Sequence, residues 1–217
     1  MSKTAFKQGY KPAPLFPTSN PQSPSSHEQI SREMHILAAA HKLPIDNAVH
    51  YDLLSQSLAY ESRLYEQNVI PCSEKFLALK QLSTEVADFA LRDNAPVALT
   101  YRAFLLTNSA IECDGESMRT NAGYRYADYA TDLATYAVTR NLKAEDINYA
   151  LEEYLERKPL PWETRHFCAA VGLAGWTSYL WCLLESERAG APTVMEAKCL
   201  FYASTFLKEA LELYLNE

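Results

Sequence analysis

The sequence predicts a mainly α-helical protein with a small β element near its middle. Apolar residues recur at helical spacing through most of residues 27–217. Only six of the 217 residues are glycine, too few for a turn-rich all-β fold or a phosphate-cradling loop. With 48% hydrophobic residues, the chain can bury a substantial core.

The elements follow in order. Residues 1–26 are Pro/Ser-rich, hold five prolines and carry Lys3, Lys7 and Lys11 without an acid. They are expected to form a disordered tail, leaving 27–217 as one domain. Ile30, Met34, Ile36 and Leu37 fit a helix over 27–40 that Pro44 stops. Val49–Tyr51 and Leu58–Tyr60 flank a polar stretch and predict a short hairpin. Phe76, Leu79, Leu82, Val86 and Phe89 mark one face of a helix over 73–93. Pro96 opens an extended run, Val97–Thr100, and irregular chain follows to about Arg125, with Asp114-Gly115 as a turn between two short strands. Helices are expected over 127–140, 143–156, 162–188 and 194–215.

Composition excludes several classes. A net charge of −7 argues against a protein held to nucleic acid by phosphate contacts. Five cysteines in no paired spacing suit reduced thiols in the cytoplasm, and five histidines form no zinc motif. Neither a metal nor a cofactor is expected. Phe167–Leu184 is 18 residues without formal charge, long enough to register as a membrane span. Gly172, Gly175, Thr177 and Ser178 within it favour instead the central helix of a soluble core, so no membrane partner is expected.

Two stretches carry a resemblance. Ala122-Gly123-Tyr124, followed by Asp132-Leu133-Ala134, is similar to the turn and helix start after the metal-binding aspartate of the choline/ethanolamine kinase family. Gly175-Trp176-Thr177-Ser178-Tyr179-Leu180-Trp181 resembles that family's tryptophan-bearing C-terminal helix, and Ser31–Leu37 its helix before the hinge. The likeness covers roughly residues 28 to 215. It implies the helical C-lobe of a protein-kinase-like (aminoglycoside phosphotransferase-like) fold. Most of the nucleotide-covering N-lobe is expected to be missing.

On that frame the catalytic residues are replaced. The family's His-x-Asp motif, with an Asn five residues after the Asp, falls on Tyr101, Ala103 and Asn108, so only the asparagine is retained. Phosphoryl transfer needs a carboxylate at the Ala103 place to orient the attacking hydroxyl, and a methyl group cannot serve. The metal-binding aspartate falls on Met118, whose thioether is a poor ligand for a hard cation. On the substrate side the family binds a quaternary ammonium in an aromatic cage. Trp181 matches one cage tryptophan, while Leu184 stands where a second is expected. Trp176, Tyr179, Tyr124 and Tyr126 are left to form a different ligand pocket or to serve as core and rim residues.

The resemblance thus implies a catalytically inactive relative, a pseudokinase acting as a binding or regulatory module. An active choline, thiamine or aminoglycoside kinase would need a carboxylate from Asp114 or Asp128, and a lobe from a partner chain. A structural dimer, or a protein partner, would use the uncovered interlobe face around Phe104, Leu105 and Leu106. Asp132 is expected to hold the loop that precedes it. Asp128, one turn earlier, is expected to matter little, under about 1 kcal/mol.

Overall fold

The computed structural model describes residues 26–44, 49–100, 125–189 and 193–216. These form seven helices and a three-stranded sheet. Helix α1, His27–His41, is capped by Ser26, whose hydroxyl accepts from the Gln29 N–H at 3.2 Å. Strand β1, Val49–His50, precedes α2, Leu53–Glu66, which Asp52 caps through the Ser55 N–H at 2.6 Å. Helix α3, Glu74–Arg92, is capped by Ser73. Then come β2, Val97–Leu99, and β3, Arg125–Asp128. The remaining helices are α4, Ala130–Arg140; α5, Ala144–Leu155; α6, Pro161–Ala189; and α7, Thr193–Leu215.

Two expectations change. Leu58–Tyr60 is not a strand but lies in the middle of α2. The spacing of buried Leu53, Ser57, Tyr60, Glu61 and Leu64 is helical, and the Asp52 cap starts the helix where a hairpin turn was expected. The partner of β1 is instead β3, in parallel, with Val49 beside Arg125 and the Tyr51 N–H donating to the Tyr126 carbonyl at 2.9 Å. The second change concerns residues 127–129. Ala127 and Asp128 belong to β3, which pairs antiparallel with β2, so the strand order is β1-β3-β2 and α4 starts only at Ala130. The other helices match their expected ranges to within one residue at either end. The expected tail, the Asp114-Gly115 turn and the Phe104–Leu106 face lie outside the described residues, Ser26 apart.

Helix α6 is the centre of the core. Phe167, Val171, Trp176 and Leu180 are sealed from solvent, and α7, α4, α2 and α3 surround the helix. Of its long apolar stretch, 89% is buried inside the protein, which accounts for the hydropathy without a membrane. The α6–α7 seam depends on small residues. A Cβ at Gly172 would lie 2.7 Å from the Leu207 backbone nitrogen, and one at Gly175 would lie 2.6 Å from that of Ala203. Hydrogen at these two positions lets the helix backbones approach.

Candidate functional site

Asp128, the last residue of β3, and Asp132, in the first turn of α4, bring two carboxylates to the corner where the strand meets the helix. Asp132 is buried, with 2% of its side chain exposed. Its Oδ1 accepts from the Thr100 hydroxyl at 2.6 Å, and its Oδ2 lies 3.2 Å from His41 Nε2. The other imidazole nitrogen of His41 meets the Tyr154 hydroxyl at 2.8 Å. A carboxylate accepts several donors at once, so Asp132 ties the end of β2 and the end of α1 to α4. Thr100 is also the last described residue before the stretch that carries Tyr101, Ala103 and Asn108.

Asp128 is equally engaged, which the sequence did not predict. Its Oδ1 accepts from the Ala130 N–H at 2.8 Å and so satisfies an otherwise orphaned donor at the start of α4. Its Oδ2 makes a short contact with His166 Nε2. His166, 3% exposed, lies within α6, and its Nδ1 faces Asp93 Oδ2 at 3.1 Å. Asp93 caps the end of α3 and also holds Arg165 and the Tyr214 hydroxyl. Between the two Asp–His pairs runs a ring stack. Tyr129 lies parallel to Tyr154 at 5.5 Å and beside His166 at 6.2 Å, and Tyr154 meets His41 edge-on. Burial pushes the Tyr129 and Tyr154 hydroxyls well above the usual phenol range, so both stay protonated.

The candidate aromatic residues separate. Trp176 and Tyr179 join Phe76 of α3 in one interior cluster, with Trp176 to Phe76 at 5.2 Å and Trp176 to Tyr179 at 5.8 Å. Trp176 is fully enclosed and Tyr179 nearly so. Trp181 is half-buried, and five residues along a helix turn it about 140° away from Trp176. Tyr101, Ala103, Asn108, Asp114, Met118 and Tyr124 lie outside the described residues. An open groove on the outer face of α3, lined by Leu77, Lys80, Thr84 and Asp88, includes none of the candidates. Among the described residues no group of three His, Cys, Asp or Glu side chains is arranged to hold a metal ion.

The residues that sequence reasoning passed over are His41, Thr100, Asp93, His166 and Tyr214. A histidine at the edge of the apolar stretch of α6 does signal a buried polar partner. Nothing in the sequence says that the partner is 73 residues away in Asp93.

No protein-family model matches the chain, and no curated protein does. Solved structures do. A choline/ethanolamine kinase family protein from Mesorhizobium loti superposes with a TM-score of 0.66 over 90% of this chain and 72% of its own, at 14% identity. The ethanolamine kinase of Plasmodium vivax superposes with a TM-score of 0.54 over 86% of this chain and 61% of its own, at 16% identity. The chain has the choline/ethanolamine kinase fold. Its described part corresponds to a helical, kinase-like lobe with a small sheet. Identity this low shows the fold alone, so what the kinase-like lobe does must be argued from its side chains.

Proposed function

We propose that the protein is a non-catalytic member of the kinase-like fold, a pseudokinase that acts in the cytoplasm as a binding or regulatory module. Its counterpart would be a protein partner or a second copy of the chain. The observation that supports this reading most directly is the engagement of both carboxylates at the start of α4. Asp132 is held by Thr100 and His41, and Asp128 by the Ala130 N–H and His166. Each of the four carboxylate oxygens therefore already has a protein partner, which counts against either residue as a general base or a magnesium ligand. The sequence resemblance adds that Ala103 and Met118 stand at the family's two carboxylate positions. Of the aromatic residues retained from the resemblance, half-buried Trp181 would supply ligand contact, whereas Trp176 and Tyr179 are enclosed in the core with Phe76.

The test is phosphoryl transfer from radiolabelled ATP with Mg²⁺ across a panel of amino alcohols, beside a melt with the same nucleotide. The expected result is no transfer above background and no stabilisation, whereas a ligand at 100 times its Kd adds about 2.7 kcal/mol. Transfer that Asp128→Asn abolishes would overturn the proposal and make Asp128 the base.

A further inference from the structure

His166 is placed between two carboxylates. Nδ1 faces Asp93 Oδ2 at 3.1 Å, and Nε2 is in short contact with Asp128 Oδ2. A neutral imidazole carries one N–H and one lone pair. It satisfies one of these contacts and sets its lone pair against a carboxylate oxygen in the other. The doubly protonated ring donates to both.

The surrounding charges point the same way. From α3 comes Asp93, from β3 Asp128, and from the histidine's own helix Arg165, whose Nη2 lies 2.8 Å from Asp93 Oδ1. Helix α7 contributes the Tyr214 hydroxyl, 2.5 Å from Asp93 Oδ2, and burial keeps that phenol protonated and neutral. Tyr129 covers one face of the ring, with neutral Tyr154 of α5 behind it, and Trp162 lies at 6.3 Å. Glu163, near by on α6, is neutralised by a two-point pair with Arg157. Among the described residues the pocket therefore holds two carboxylates against one cation, Arg165. One negative charge, that of Asp128, then faces the buried ring without a cation unless the imidazole is charged.

We propose that His166 is an imidazolium in the folded protein and acts as a proton-dependent latch joining α6 to the end of α3 and to the β3–α4 corner. Burial alone drives the imidazole pKa down. The hydrogen bond and charge of Asp128, and then those of Asp93, outweigh it, so the net direction is up from the ordinary histidine value. A raised folded-state pKa contributes stability that is complete below the unfolded value near 6.5 and lost as pH rises through the folded value. On deprotonation Asp93 keeps Arg165 and Tyr214, so the contact that opens is the one to Asp128, whose side chain is 33% exposed and can rehydrate. Asp128 ends β3 four residues before Asp132. The latch therefore couples protonation in the neutral-to-alkaline range to the corner that carries the candidate site.

The test is long-range proton–nitrogen NMR of the full chain labelled at histidine, with urea melts as a function of pH. At about pH 7.5, above the ordinary histidine pKa, both His166 ring nitrogens are expected to carry protons. The urea midpoint of the wild type is expected to fall as pH rises through the His166 titration, and that of His166→Gln to stay flat over the same range. Asp128→Asn, which removes one facing charge, is expected to bring the titration down towards neutrality. It provides the comparison should the glutamine variant fail to fold. A neutral single tautomer in the wild type at about pH 7, or an Asp128→Asn titration unchanged from wild type, would overturn the latch.

Discussion

Replacing Asp132 with alanine removes the carboxylate that gathers two chain ends at the start of α4. Three losses follow. The Thr100 hydroxyl loses an acceptor at 2.6 Å, and His41 Nε2, on a side chain 4% exposed, loses one at 3.2 Å. The carboxylate's favourable place in the first turn of α4 is lost as well. Hydrogen bonds to a charged group are worth about 1.5–3 kcal/mol net, and stranded buried donors cost about 1–3 kcal/mol each. Water entering the space left behind offsets part of this, so Asp132→Ala is expected to destabilise by about 2–4 kcal/mol. In a chain of this size 3 kcal/mol lowers the melting temperature by about 6–12 °C. Asp132→Asn keeps one acceptor and the side-chain volume, and should fall between wild type and alanine. Urea melts of the three proteins at one pH measure the series. A loss under about 1 kcal/mol for the alanine variant would show that Asp132 is an ordinary helix-start acid and that the corner is organised by something else.

The other predictions rest on independent contacts. Asp128→Ala loses both the bond to the Ala130 N–H and the contact with His166, so about 1–2 kcal/mol is expected in urea melts, more than the sequence alone predicted; a silent variant would refute that pairing. Gly175→Ala should cost about 1–3 kcal/mol because its Cβ would meet the Ala203 backbone at 2.6 Å, and an unchanged melt would mean the α6–α7 seam has slack. The Glu163 carboxyl is held below its usual range, chiefly by hydrogen bonding to Arg157. Stability from that pair is present above the unfolded carboxyl pKa and lost as pH falls through the lower folded value, so Glu163→Gln should flatten the acid limb of a pH–stability curve. Thiol labelling should find Cys72 reacting well before Cys168, Cys182 and Cys199. All three are buried; burial raises the Cys168 thiol, and contact with Cys182 followed by burial raises that of Cys199.

Much of the fold was legible because local chemistry wrote it down. Ser26 and Ser73 stand where the expected helices begin, and both cap them. Asp52 caps as well, yet the stretch after it also reads as a turn, since a three-residue apolar run such as Leu58–Tyr60 fits a strand as readily as a buried helix face. Strand β3 was hidden for a different reason. Ala127 and Asp128 continue smoothly into a helical pattern, and only pairing with Val97 and Ala98 holds them extended. Of the candidate site, Asp132 was legible from the resemblance, whereas its partners Thr100 and His41 were not.

The sequence by itself determined the helical content, the extended runs at Val49 and Val97 and the apolar character of α6, because propensity, capping and hydrophobic period act between residues a few positions apart. Through the resemblance it also led to the expectation that Ala103 and Met118 stand where that family has carboxylates. Tertiary structure alone decided that β1 pairs with β3, that Trp176 closes against Phe76, and that Asp128 belongs to His166. Those choices bring together residues 38 to more than 90 positions apart. Their free energy comes from burial and charge pairing that arise only once the chain has closed on itself.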